Sequence, residues 1–89
     1  MKTVVSVVGK DSMGIVALVS TKCAALGANI LDISQSILDD YFAMIMLINM
    51  DKLNVEFTEF VDEMEALGKT NGLEIHVMHE DLFNSMHKI

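Results

Sequence analysis

Thr3-Val4-Val5-Ser6-Val7-Val8 followed by Gly9-Lys10-Asp11-Ser12-Met13-Gly14 is the stretch whose reading decides the fold. Its first six residues are rich in β-branched side chains and stop at glycine, the pattern of a strand. Ile15, Leu18, Val19, Cys23 and Leu26 then fall on one helical face, and Gly27 supplies the left-handed residue that closes a helix. Asp11 or Ser12 is placed to cap that helix by accepting from a free N–H. A strand that turns through a charged loop into a helix presents N–H groups with no partner inside the helix, at the positive end of its dipole. That is a seat for a carboxylate or another anion.

Ala28-Asn29-Ile30 leads into a second extended run, residues 29 to 38, expected to lie beside the loop so that Asn29 reaches the same seat. Leu38-Asp39-Asp40-Tyr41 reads as a tight connection, and residues 41 to 50 as a third strand. Asn54 is a candidate cap for a second helix, with Glu56 and Glu59 near its positive end. Phe57, Phe60, Val61, Met64 and Leu67 form its apolar stripe, and Gly68 is expected to end it. Asn71-Gly72 turns into a fourth strand, Leu73 to Met78, and a helical tail at 80–89 puts Leu82, Phe83, Met86 and Ile89 on one side.

The order is βαββαβ. Right-handed crossovers then interleave the two halves into a ferredoxin-like α+β domain, with a four-stranded antiparallel sheet, two helices on one face and a short C-terminal helix. The third strand complicates this picture. Phe42, Met44, Met46, Ile48 and Met50 point one way, and Tyr41, Ala43, Ile45 and Leu47 the other. A strand covered on one side only should alternate apolar and polar residues. Both faces here call for cover, which the tail and a second subunit are expected to share. Burying three such side chains contributes on the order of 5–8 kcal/mol.

Composition narrows the function. Eighty-nine residues make one domain, 1–89, yet 52% of them are apolar, eight being Met. That surplus for a small core points to a homodimer. Thirteen acidic against six basic residues give a net charge of −7, and there is no Arg. Direct contact with nucleic acid is therefore not expected, because a phosphate backbone would repel the chain. A single Cys, no continuous apolar leader and no run of 18 uncharged apolar residues read as a cytoplasmic protein without a membrane span.

A βαββαβ chain with Gly-Lys-Asp-x-x-Gly-Ile after the first strand and Gly-Ala-Asn-Ile entering the second resembles the ACT domain family. Its nearest likeness is to stand-alone bacterial ACT proteins and to the ACT domains of the glycine cleavage system transcriptional repressor. The resemblance covers essentially the whole chain. It implies a regulatory module that pairs side by side and binds an amino acid at the interface, near the first strand–helix loop. Carried onto this chain, it implies Gly9, Lys10, Asp11, Ser12, Met13 and Gly14 around the ligand, with Asn29 and Ile30 on the second strand. Asp11 would hold an amino group, helix N–H groups the carboxylate and Asn29 either one. Many family members read Asp-Arg-Pro-Gly where this chain has Asp11-Ser12-Met13-Gly14, so a cation of the loop is missing.

Plainer roles stand beside these. Asp11 caps a helix with or without a ligand, Gly14 lets helix approach sheet, and Asn29 bonds the turn after Gly27. Cys23 sits on the apolar stripe as a small hydrophobe. His76 and His79, three apart on a strand, face opposite ways, and His87 and Glu80 add no metal-binding spacing. No catalytic residue, metal site or cofactor is expected. The leading expectation is an amino-acid-sensing homodimer that acts on another regulatory protein or an enzyme. The alternative is a constitutive interaction subunit without a small-molecule ligand.

Overall fold

The computed structural model describes residues 1–10, 13–81 and 84. Its elements are β1 (Lys2–Gly9), α1 (Ile15–Ala25), β2 (Asn29–Leu38), β3 (Tyr41–Asn49), α2 (Phe57–Asn71) and β4 (Glu74–His79). The strands form one sheet in the order β2-β3-β1-β4, with every neighbouring pair antiparallel. This is the expected ferredoxin-like α+β fold. β2 and β3 are joined by Asp39-Asp40, with Asp39 in the left-handed region at φ 56°. Asp tolerates that conformation, which allows so short a turn.

Period-two patterning sets the core. Phe42, Met44, Met46 and Ile48 of β3 are buried beside Val5 and Val7 of β1 and Ile75 of β4. Ile15, Val19 and Cys23 of α1 and Phe60 and Met64 of α2 close over them, so both helices cover the same face. Among the described residues the other face stays largely open. Val4 is buried there, but Val8, Tyr41 and Ile45 remain 39%, 48% and 41% exposed. The tail expected to help cover it falls mostly outside the described residues, and only Glu80, Asp81 and Asn84 are seen as helical.

Four local expectations change. The residue capping α1 is Gly14, at φ 75° and with no side-chain cap bond. The helix thus starts too late for Asp11 or Ser12 to occupy the cap position, and both lie outside the described residues. Asn54 does not cap α2, whose cap residue is Glu56. Asn54 instead stitches the loop to the end of α1: its Nδ2 donates to Ala25 O at 3.0 Å and its N–H to Leu26 O at 2.9 Å. Gly68 does not end α2 either. The helix runs on to Asn71 and closes at Gly72, φ 68°. Gly68 is buried because the Leu73 carbonyl oxygen lies 2.6 Å from where its Cβ would stand. β4 correspondingly begins one residue later than expected, at Glu74.

Candidate functional site: two clefts at opposite ends of the sheet

β1 delivers Gly9 to the upper end of the sheet, where a side chain would collide with Leu73. The α2–β4 turn is therefore pressed against the start of the β1–α1 loop. Between them lies a cleft of about 440 Å³, lined by Lys10, Met13, Gly14, Ile15 and Leu18 on one side and Asn71, Gly72 and Leu73 on the other. Leu18 N–H donates to Gly14 O at 2.9 Å, the first bond of α1. The N–H groups of Ile15, Val16 and Ala17 precede it and have no acceptor within the helix. Lys10 Nζ stands 6.0 Å from the centre of the Tyr41 ring, at the outer limit of a cation–π contact. Asn71 Nδ2 donates to Leu67 O at 2.9 Å, so its Oδ1 is the atom it can offer a ligand as an acceptor.

Asn71, Gly72 and Leu73 were not among the expected site residues. The Asn-Gly pair marked a turn. Only the pairing of β4 beside β1 reveals that this turn lands against Gly9.

Asn29 and Ile30 lie elsewhere. Asn29 pairs with Asn49 of β3, and Asn49 with Lys2 of β1, whereas Gly9 pairs with Phe42 and Phe42 with Ile37. Asn29 is thus seven strand residues from the Gly9 row, about 23 Å along the sheet. Within one chain it does not reach the loop. Ile30, opposite Ile48, is half-buried against the core and offers a ligand little surface. A bulge at Leu31 follows, leaving that side chain 45% exposed.

Asn29 opens instead into a second cleft, of about 600 Å³, lined by Ala24, Gly27, Ala28, Asn49, Asp51 and Lys52. Asn49 Oδ1 accepts the Asp51 N–H at 2.8 Å, and the Asp51 carboxylate meets the Met1 amino group at 2.5 Å. That amino group, with a smaller contribution from Asn49, holds the Asp51 carboxyl below its ordinary value.

Among the described residues neither cleft is lined by a His, Cys or Ser side chain. Burial pushes the Cys23 thiol up to about 11, away from the thiolate a nucleophile needs. His76 pairs with Ser6 and His79 with Thr3, an odd step apart, so they face opposite sides as expected. Among the described residues no three His, Cys, Asp or Glu side chains gather to hold a metal ion, and no helix is long and apolar enough to cross a membrane.

Comparison with known proteins agrees with this architecture. The chain is similar to an ACT domain protein from Streptococcus pneumoniae, at 45% identity over 98% of both chains and a TM-score of 0.83. A UPF0237 protein of Methanocaldococcus jannaschii is 48% identical over 88 residues, covering 99% of this chain and 98% of that one. A protein described as a putative glycine cleavage system transcriptional repressor shares the fold, with a TM-score of 0.69 at 24% identity over 85% of this chain and 43% of its own. The model of the ACT domain matches residues 2–78, and the chain belongs to the ACT domain family.

Proposed function

We propose that this chain is a non-catalytic regulatory module that works as a homodimer and responds to an amino acid. The ligand would lie where the β1–α1 loop of one protomer approaches the β2 start of its partner. One observation carries this reading: the residues expected around the ligand divide between opposite ends of the sheet, and β2, the strand that carries Asn29 and Ile30, is an edge strand. β2 is ten residues long and, among the described residues, has a neighbour on one side only. Such an edge is a template for pairing with another strand, and Ile37 and Leu31 on it are 69% and 45% exposed.

A two-fold axis through the middle of β2 pairs the Asn29 end of one copy with the Leu38 end of the other. Partner Asn29 then sits about three strand spacings, roughly 14 Å, from Gly9 instead of about 23 Å. A long side chain and a small ligand fill that distance. α1 packs beside β2 and exposes Ala17, Ala24 and Ala25, small residues that let a second helix approach closely.

The test is a thermal-shift panel of amino acids read beside light scattering. A dimer should be found, with one or a few amino acids raising its melting temperature by several degrees. A ligand at a hundredfold its Kd adds about 2.7 kcal/mol. Asp11→Ala or Asn29→Ala should abolish the shift while leaving the unliganded melt unchanged. A dimer silent to the whole panel would favour the constitutive interaction subunit, for which the exposed Val8, Tyr41 and Ile45 provide a surface.

A further inference from the structure

On the sheet face away from the helices, exposure falls from one end to the other. At the upper end Val8 and Ile45 are 39% and 41% exposed, whereas at the lower end Val4 is 3% exposed. Val4 and Val8 are an even step apart on β1, so both point away from the helices. Beside Val4 on this face stand Leu47 of β3 and Met78 of β4, both half-buried. Neighbours within the sheet screen only the flanks of a side chain that stands off it, and its tip is covered by something above the sheet. The Val4 end is covered, and the Val8 end is not.

The chain itself leads to that place. β4 ends at His79, opposite Thr3 and next to the Val4–Met78 pair, and Glu80, Asp81 and Asn84 beyond it are helical. A helix over residues 80–89 is about 15 Å long. From β4 across β1 and β3 to β2 is three strand spacings, about 14 Å. The row Met78–Val4–Leu47 turns polar at Asp32 of β2, where a helix of that length runs out. Leu82, Phe83, Met86 and Ile89 recur at the spacing of one helical face. Asp81 and Asn84 belong to the opposite face of such a helix, and both are exposed.

We propose that residues 82–89 fold back over the open face as a strap, their apolar stripe lying across Met78, Val4 and Leu47 of the same chain. The strap divides the face. Its lower half is closed, and the apolar surface left for a partner is the upper half, around Val8, Tyr41 and Ile45. Release of the strap would join the halves into one apolar stripe along β1 and β3, so this segment sets how much of the face another protein meets. The proposal stands apart from where a small ligand binds.

Nuclear Overhauser contacts test it in the full chain with labelled methyl groups and aromatic rings. The Phe83 ring should touch the methyl groups of Val4 and Leu47, and neither Val8 nor Ile45. A sample mixed from labelled and unlabelled chains should show no such contact between chains. Thiol labelling supplies a second reading. A maleimide should modify Val4→Cys at least tenfold more slowly than Val8→Cys, and adding Phe83→Asp should remove the difference by speeding Val4→Cys alone. The buried Cys23 serves as the control, because its labelling reports unfolding of the domain. Contacts of Phe83 with Val8 or Ile45, or with none of these methyl groups, would overturn the proposal. So would contacts seen only between chains, which make the cover a second copy, or equal labelling of the two thiols without Phe83→Asp, which leaves the lower half open.

Discussion

The backbone carbonyl oxygen of Lys52 occupies the space that a Cβ on Gly27 would need. Gly27 also holds φ 84°, so an alanine there meets both a left-handed backbone and a main-chain atom that cannot rotate away. Gly14 supplies the contrast, with φ 75° and nothing within 4 Å of a Cβ. Gly14→Ala should cost about 1–2 kcal/mol, the backbone term alone, and Gly27→Ala clearly more. Urea unfolding of the two variants checks this, and equal losses would mean that the β3–α2 loop yields to the new methyl group.

Ile37, at 69%, is the most exposed apolar side chain among the described residues of β2. If β2 pairs with its copy about the two-fold axis proposed above, Ile37→Lys sets a lysine against the apolar start of the other β2, and burying an unpaired charge in a contact is costly. Light scattering should then give the 9.8 kDa chain in place of a dimer, with the circular dichroism of the folded domain retained. A dimer that survives the substitution would move the interface away from this edge.

Local patterning and long-range geometry were not equally legible in the sequence. Val5, Val7, Ile15, Val19, Cys23, Phe60 and Met64 follow the periods of strand and helix, and all are buried as those periods require. Gly27, left-handed at φ 84° directly after the cap residue Leu26, closes α1 as expected because such a termination is a local demand. Gly68 misled for the opposite reason. A glycine in a helical pattern reads as a stop, whereas here it remains helical and its missing side chain makes room for the chain entering β4. Asn29 shows the same limit at the site. Its sequence context marks it, but only the strand register shows that it stands at the far end of the sheet from Gly9. Asn71 and Leu73 escaped notice because their place beside Gly9 follows from β4 pairing with β1, a contact across most of the chain.

Cys23 makes the stability pH-dependent on the alkaline side. Burial pushes its thiol from 9.0 up to about 11, so the unfolded chain ionises first. A pKa raised by folding gives a contribution that is complete below the unfolded value and is lost as pH rises through the folded one. Unfolding free energy should therefore fall between about pH 9 and 11, by roughly 2–3 kcal/mol. Cys23→Ala should be less stable near neutrality and show a flatter alkaline limb than the parent. The same limb in both proteins would assign the loss to other groups.

Gly9 and Leu73 couple the stability of the fold to the shape of the upper cleft. A methyl group on Gly9 would overlap Leu73 Cδ2, the far end of a flexible side chain, and would also lie 3.6 Å from Ile15 Cδ1. Leu73 can give way, but it lines the cleft, so its movement changes that space. Gly9→Ala should cost about 1–3 kcal/mol as an overpacking substitution, and Leu73→Ala about the same or more through the cavity it leaves. Combined, each change relieves the other, since the added methyl enters the space the leucine vacates. The double variant should be more stable than the sum of the single losses by roughly 1 kcal/mol or more, within the range found for touching residues. Strict additivity in urea unfolding would show that the β1 end and the α2–β4 turn are not in contact in solution, and the upper cleft would lose one of its walls.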